Sequence, residues 1–161
     1  MSDTVQTADN QYLTFTLDGE QYAVEVGKVK EVLEFTDLTK VPRTHDFMRG
    51  VINLRGSVVP VVDLRLKFDM GKTEQTIDTS IVVMEVGIDS EVVVIGTLAD
   101  SVQEVIGLND QQIEPAPSIG TAIDNKFIRG IGKLEDRFII ILDIDRIFKD
   151  EELATVTEHT A

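Results

Sequence analysis

The sequence predicts a mainly β protein made of two similar lobes, with a few short helices. Hydrophobic residues make up 42% of the 161 residues, and they come largely as Val, Ile and Leu in short runs. Short β-branched runs of this kind favour strands over long helices. The second half of the chain repeats the plan of the first, which indicates two related units within one compact domain.

The first elements along the chain are predicted to be a β-hairpin and a short helix. Residues 12–17 alternate in polarity, Asp18-Gly19 supplies a turn, and residues 22–26 return as a second strand. Residues 29–33 then carry apolar side chains at the i, i+3 and i+4 positions of one helix face. A helix is therefore predicted there, ending before Val41-Pro42.

The next elements are predicted to be two strands followed by a helical turn. Residues 50–54 and 57–63 have strand-like composition, and Arg55-Gly56 forms the turn between them. Pro60 favours an edge or bulged position for the second strand. A short helical segment over residues 64–68 completes the unit.

An internal repeat indicates that this unit occurs twice. Residues 47–51 (FMRGV) resemble residues 127–131 (FIRGI), which lie 80 positions later, and residues 29–33 (VKEVL) resemble residues 102–106 (VQEVI). Because strand, turn, strand and helical cap recur in the same order, chance is a poor explanation. Two such lobes would pack about a pseudo-two-fold axis and leave a groove at their junction, which is a natural binding site.

The domain organisation follows from this repeat and from the polar ends of the chain. Residues 1–10 are predicted to be a disordered leader and residues 154–161 a frayed tail. A single domain is expected over residues 11–153. Its first lobe covers about residues 11–75 and its second about residues 76–150, and strands could be exchanged between them.

Composition excludes several classes of function. The chain has 15 Lys and Arg against 29 Asp and Glu, so its formal net charge is −14 and its surface repels nucleic acid and anionic lipid. It has no cysteine for disulfides or thiolate metal sites. With neither a secretory signal nor an apolar stretch long enough to cross a bilayer, it is expected to be cytoplasmic and not inserted in the membrane.

Catalysis, metal binding and cofactor binding are not predicted. His45 and His159 are the only histidines, and neither has a nucleophile motif beside it. Asp63 and Asp143 are equivalent in the repeat and could be imagined as the carboxylate pair of a small acid-dependent hydrolase. Each follows a predicted strand and precedes an apolar helical turn, where an aspartate caps the helix. Capping is the favoured interpretation, and the hydrolase is a remote alternative.

Arg55 is the residue that points to a binding role. It lies at the tip of the predicted turn, where it is either a plain solvent-facing side chain or part of a binding surface. Glu31 lies on the predicted helix beside Val29 and Val32. An Arg–Glu pair next to an apolar strip would form a suitable rim for a docking groove.

These residues resemble a known family. The segments 50–56 (GVINLRG) and 59–65 (VPVVDLR) are similar to the central signature of CheW proteins. The resemblance extends from about residue 11 to about residue 153 and includes the loop 113–117 (IEPAP). It implies two five-stranded SH3-like β-barrels around a shared hydrophobic core, in agreement with the repeat.

The resemblance also implies a function without catalysis. CheW proteins are chemotaxis adaptors that couple the cytoplasmic tips of methyl-accepting chemoreceptors to the regulatory domain of the histidine kinase CheA, and they support assembly of receptor arrays. A CheW-like adaptor of a non-flagellar chemosensory pathway is the main alternative. A fragment of the kinase's own CheW-like domain is a further one.

The resemblance assigns residues to two kinds of contact. The positions that match the receptor-binding groove are Val29, Glu31, Val32 and Arg55, with Ile81 and Ile95 as wall residues. The positions that match the kinase-binding faces are Leu38 and Val58 for one contact and Pro115, Pro117 and Ile119 for the contact that closes rings. The chain departs from the family in this last loop, where Glu114 replaces a basic residue and Ile119 an aromatic one.

Overall fold

The computed structural model describes residues 9–116 and 125–148. The strands are β1 (Asp9–Leu17), β2 (Glu20–Glu25), β3 (Val29–Glu34), β4 (Met48–Leu54), β5 (Ser57–Asp63), β6 (Ser80–Ile88), β7 (Glu91–Ala99), β8 (Ser101–Asn109), β9 (Ile113–Glu114), β10 (Ile128–Leu134) and β11 (Arg137–Leu142). The helices are α1 (Leu64–Lys67) and α2 (Ile144–Ile147). Short 3-10 turns cover Val26–Lys28, Asp110–Gln112 and Asn125–Phe127. Neither α-helix of the described ranges has the length or apolar character needed to span a bilayer.

The strands form two sheets in which equivalent strands lie in the same spatial order. The first has the strand order β3-β6-β7-β5-β4, and the second has the order β8-β1-β2-β11-β10-β9. Each contains one parallel pair, β5 with β7 and β2 with β11, among antiparallel neighbours. These sheets are the two predicted SH3-like barrels, called here the first and the second barrel, and the mainly β fold is confirmed.

The second barrel has one strand more than the predicted five. Its additional strand, β9, is two residues long and pairs with β10. In the first barrel a single bridge between Thr39 and Val51 takes the corresponding place beside β4. The equivalent pairing is thus present in both barrels and is longer in the second.

The barrels do not coincide with the two halves of the chain. The first barrel takes all its strands from residues 29–99, whereas the second combines β8 to β11 with the N-terminal hairpin of β1 and β2. That hairpin pairs with β8 and β11 as the β6–β7 hairpin pairs with β3 and β5. A division near residue 75 thus misplaces both hairpins, and strand exchange between the halves is the actual arrangement.

The repeat of 80 residues is retained in three dimensions, including its glycines. Gly50 has a φ of +151°, and a Cβ there would lie 2.7 Å from the carbonyl oxygen of Thr39. At the equivalent Gly130, a Cβ would lie 2.6 Å from Cγ2 of Ile113. Each glycine lets a neighbouring segment, at Thr39 in one barrel and at Ile113 in the other, pack closely against its strand. A larger residue at either position would displace that segment.

The predicted helix over residues 29–33 is wrong, because these residues form the edge strand β3. Its side chains alternate between half-buried and exposed, and it pairs with β6 through Glu31 opposite Val83 and Leu33 opposite Ile81. The spacing of Val29 and Leu33 fits either period, and β-branched valines favour the extended form. Val32 consequently lies on the other face and is 42% exposed.

The hydrophobic core has three parts. Each barrel encloses a cluster of its own, around Ile81 and Leu98 in the first and around Leu108 and Ile139 in the second. The largest cluster lies between the barrels and includes Phe15 from the N-terminal hairpin. Strands such as β6 contribute alternate side chains to an inner cluster and to this shared core. Both of their faces are buried, which explains their unbroken apolar runs.

Tyr22 makes the stability of the fold decrease at alkaline pH. Its side chain is 3% exposed and stacks on Phe15 at 6.3 Å between ring centroids. Burial, followed by the negative charges of Glu20 and Asp18, raises the pKa of Tyr22 from 10.0 to about 12. Above pH 10 an unfolded chain loses this phenolic proton while the folded chain keeps it. The stabilisation is thus complete below pH 10 and is lost as the pH rises towards 12.

We therefore expect the free energy of unfolding to fall by roughly 2–3 kcal/mol between pH 10 and 12 through this residue. Urea denaturation at several pH values measures the slope. The variant Tyr22→Phe keeps the ring and removes the proton, so its slope should be shallower. An equal slope in both proteins would show that Tyr22 is not responsible.

Candidate docking surfaces on and between the barrels

The turn between β4 and β5 fixes the position of Arg55. Arg55 and Gly56 have φ values of +51° and +89°, the pattern of a two-residue type I′ hairpin turn. The side-chain oxygen of Asn53 accepts a hydrogen bond of 2.7 Å from the backbone N–H of Gly56. The predicted turn is confirmed, and its rigid geometry projects a long cation from the end of the hairpin.

Arg55 forms an ion pair with Glu31 of β3. A guanidinium nitrogen donates to Oε2 of Glu31, while 68% of the Arg55 side chain and 25% of the Glu31 side chain stay exposed. The hydrogen bond to Glu31, together with the charge of that carboxylate, raises the pKa of Arg55. The predicted Arg–Glu pair therefore exists, although Glu31 lies on a strand and not on a helix.

A groove on the first barrel begins at this ion pair. It has a volume of about 570 Å³ and runs between the start of β5 and the start of β7, with Lys30 and Arg55 at its rim. Val58 and Val92 line it and are 65% and 71% exposed. This first-barrel groove offers aliphatic side chains beside a fixed cation, which is the composition of a protein-docking surface.

A second and larger groove lies between the barrels. It has a volume of about 940 Å³ and is lined by both barrels, through β1 and β8 on one side and β6 and β7 on the other. Val92 lines this inter-barrel groove as well as the first-barrel groove, so the two are neighbours. Arg55 is not among the described residues that line the inter-barrel groove, which corrects the prediction that it edges the junction itself.

Asp145 of α2 holds one end of the inter-barrel groove together. Its carboxylate accepts a hydrogen bond of 2.8 Å from Nζ of Lys28, in the segment that joins the barrels. The other carboxylate oxygen accepts a bond of 2.9 Å from the backbone N–H of Gly87 on β6. One side chain of the second barrel thus ties down the first barrel and the connection between them.

Two of the predicted receptor-binding residues are not at the surface. Ile81 and Ile95 are both 0% exposed, the first inside the first barrel and the second in the shared core. They cannot serve as walls of a groove, because other side chains cover them completely. Val29 is half-buried against the shared core, and Val32 is accessible.

The predicted kinase-binding residues are distributed over both barrels. Leu38 is half-buried against the inner cluster of the first barrel, and Val58 is exposed in the first-barrel groove. Pro115 is exposed directly after β9. Pro117 and Ile119 lie outside the described residues. Glu114, the departure from the family pattern, pairs with Nζ of Lys133 at 2.6 Å.

Asp63 and Asp143, the residues of the hypothetical hydrolase pair, are helix caps. Asp63 is 0% exposed and accepts backbone N–H bonds from Arg65 and Leu66 at the start of α1. It also accepts two hydrogen bonds from Thr73 and forms an ion pair with Arg49 at 2.8 Å. Because these bonds occupy a fully buried carboxylate, it is not available to a substrate. The predicted capping role is confirmed.

Asp143 caps α2 in the same way, through the backbone N–H of Arg146 at 3.2 Å. It is partly exposed and also lies 3.6 Å from the guanidinium of Arg146. Over residues 9–116 and 125–148, no cluster of His, Cys, Asp and Glu has the arrangement of a metal site.

Val92, Lys28 and Lys30 are among the residues of these surfaces that the sequence interpretation missed. Val92 stands at the start of the run 91–95 (EVVVI), which reads as a buried strand from its composition. Lys28 and Lys30 flank Val29, and apart from their charge nothing in the sequence indicates that they line a groove. Only the fold reveals that Val92 joins the two grooves and that the lysines line them.

Comparison with known proteins gives a consistent result. Residues 11–152 match the family model described as a CheW-like domain. The chemotaxis protein CheW of Klebsiella aerogenes is 34% identical over 151 residues, which cover 94% of this chain and 89% of that protein. The chemotaxis protein CheW of Bacillus subtilis is 32% identical over 94% of each chain. The crystal structure of the scaffolding protein TtCheW from Thermoanaerobacter tengcongensis is similar with a TM-score of 0.78 and 36% identity, covering 89% of this chain and 90% of that one.

Proposed function

This chain belongs to the CheW family of non-catalytic chemotaxis scaffolds, and on that premise we propose that it couples the cytoplasmic tip of a methyl-accepting chemoreceptor to the regulatory domain of the histidine kinase CheA. The observation that carries the proposal is the first-barrel groove, where exposed Val58 and Val92 lie beside the Arg55–Glu31 pair. An adaptor of this kind would act on the cytoplasmic side of receptor arrays.

The groove has the properties of a modest, reversible contact. Complete burial of a valine side chain contributes roughly 1.5–3 kcal/mol, and most of Val58 and Val92 is still available for burial. Association entropy offsets much of that gain, so one groove alone supports only weak binding. Several such faces acting together would supply the avidity that an array requires.

The assignment of partners to faces follows the family resemblance. Val29, Glu31, Val32 and Arg55 are proposed to contact the receptor tip, with the inter-barrel groove and its Val92 next to them. Leu38 and Val58 are proposed for one kinase contact, and Pro115 marks the second. Since Arg55 and Val58 line one groove, we expect receptor and kinase to meet at neighbouring parts of the first barrel.

Reversal of the charge at the hairpin tip should weaken coupling without unfolding the protein. Glu135 occupies the equivalent turn of the second barrel at a φ of +57°, so a glutamate is compatible with this backbone. We expect Arg55→Glu to reduce binding of the receptor fragment or the kinase domain by about tenfold or more. The new carboxylate would face the carboxylate of Glu31, and the cation offered to a partner would be replaced by a negative charge. The free energy of unfolding should change by no more than about 0.5 kcal/mol. Isothermal titration calorimetry and urea denaturation measure the two effects.

Arg137→Glu is the matched control, since Arg137 pairs with Glu104 on the second barrel at 3.2 Å, away from the groove. The double variant Arg55→Glu with Glu31→Arg restores an ion pair of reversed polarity. If a partner binds the guanidinium of Arg55 directly, binding stays weak in the double variant. Normal binding by Arg55→Glu, or loss of the fold, would contradict the role given to Arg55.

A further inference from the structure

Most of the basic side chains of the described residues are engaged by other groups of the molecule. Ion pairs engage nine of them, namely Lys28, Lys30, Arg49, Arg55, Arg65, Arg129, Lys133, Arg137 and Arg146. Lys67 and Lys126 lie over aromatic rings. Within residues 9–116 and 125–148, Lys40, Arg43 and Lys72 are the cations that form no ion pair. In a chain with 29 acidic residues, three uncompensated cations are unexpected.

These three cations line one cavity, called here the basic cavity. It has a volume of about 410 Å³ and lies between the loop that joins β3 to β4 and the loop that follows α1. Lys40 and Arg43 come from the first loop, and Lys72 comes from the second, about 30 positions further along the chain. Met48 and Leu66 supply apolar lining.

The charge balance of the basic cavity is strongly positive. Asp46 is the one carboxylate among its described lining residues. Arg49 also lines it, but its charge is compensated by buried Asp63 at 2.8 Å. The loop is held in shape by Thr44, whose hydroxyl donates to the carbonyl oxygen of Val41 at 3.1 Å. The three cations therefore surround a pre-formed concave space in which Asp46 supplies one negative charge, which leaves an excess of positive charge.

We propose that the basic cavity is a binding site for a small multivalent anion that carries phosphate groups. Arginine forks and lysine ammonium groups are the side chains that recognise phosphate oxygens. A concave volume of about 410 Å³ lies in the range of small-molecule sites, whereas a partner protein's acidic face would meet a flatter surface. The net charge of −14 repels anions at long range, so binding here depends on short contacts to these three residues. The proposal is independent of the docking function, although Lys40 lies two residues from Leu38.

The test is a titration of the full-length protein with sodium tripolyphosphate, with ATP and with inorganic phosphate, followed by calorimetry and by amide chemical shifts. We expect saturable binding of tripolyphosphate, with the largest shifts in residues 40–49 and 71–73. The variants Arg43→Gln and Lys72→Gln should each weaken it by about tenfold, because each removes a charge-assisted contact. Lys30→Gln is the matched control, since Lys30 is an exposed lysine outside the cavity. The affinity of this variant for tripolyphosphate should be unchanged.

Equal weakening by Lys30→Gln would show non-specific attraction and would overturn the proposal. So would an absence of saturable binding by any phosphate probe. A hexaglutamate peptide is titrated in parallel, and binding of that peptide without binding of tripolyphosphate would assign the cavity to an acidic protein segment instead. Thermal unfolding of each variant establishes that the fold is retained before affinities are compared.

Discussion

Removal of the Asp63 carboxylate should be among the most destabilising single changes in this protein. In Asp63→Ala the guanidinium of Arg49, whose side chain is only 19% exposed, loses the charge that compensates it. Both bonds from Thr73 and the cap of α1 are lost as well. Breaking a buried ion pair by removing one partner costs about 3–5 kcal/mol. Urea denaturation should therefore show a loss of that size, which is a large part of the stability of a typical domain.

The internal repeat provides the control for this prediction. Asp143→Ala removes the equivalent cap of α2, but Asp143 is partly exposed and its cation, Arg146, reaches solvent. Its loss should cost about 1 kcal/mol, the usual value of a helix cap. The double variant Arg49→Met with Asp63→Ala should recover part of the loss, because no orphaned charge remains. Equal effects at Asp63 and Asp143 would mean that the ion pair with Arg49 contributes nothing.

The features that the sequence predicted correctly depend on local chemistry or on the repeat. The turn at Arg55-Gly56 follows from Gly56, which adopts a positive φ without steric cost. The cap at Asp63 follows from its position between a strand and a helical turn. The duplication at an offset of 80 residues required only a comparison of the chain with itself. The turn and the cap are signals within a few residues and the duplication is a comparison of sequence with sequence, so no tertiary information was needed.

The features that the sequence did not predict depend on which elements meet. The spacing of Val29 and Leu33 fits a helix as well as a strand, and pairing with β6 decides between them. The repeat does not specify which barrel the N-terminal hairpin completes. Lys40 and Lys72 lie far apart in sequence, so only the fold reveals the basic cavity.

Ile81 and Ile95 illustrate the same limit for the predicted docking residues. Along β6 and β7, apolar residues follow one another because one face fills the first barrel and the other fills the shared core. A run with two buried faces has no polar alternation to mark a surface position. Resemblance to the family could name these positions but could not supply their exposure. Val92, in the same strand as Ile95, is the accessible one.

Truncation of Ile81 should therefore affect folding and not recognition. Ile81 is 0% exposed and packs with Val61 and Leu98 inside the first barrel, so Ile81→Ala leaves a cavity and should lower the free energy of unfolding by about 2–5 kcal/mol. Val92→Ala, at a side chain that is 71% exposed, should change it by no more than about 0.5 kcal/mol. Urea denaturation of both variants gives the comparison.

Binding should show the opposite order. Val92 lines both grooves, so Val92→Ala removes apolar area that a partner would bury and should lower affinity for the receptor fragment or the kinase domain. Ile81→Ala, measured below its unfolding temperature and corrected for the folded fraction, should bind as the unaltered protein does. A stable Ile81→Ala variant with weakened binding would place Ile81 at the docking surface after all. A buried residue and a groove residue differ both in the free energy of unfolding and in binding affinity. This pair of variants therefore distinguishes a core residue from a contact residue, although the sequence shows both as apolar positions of a strand.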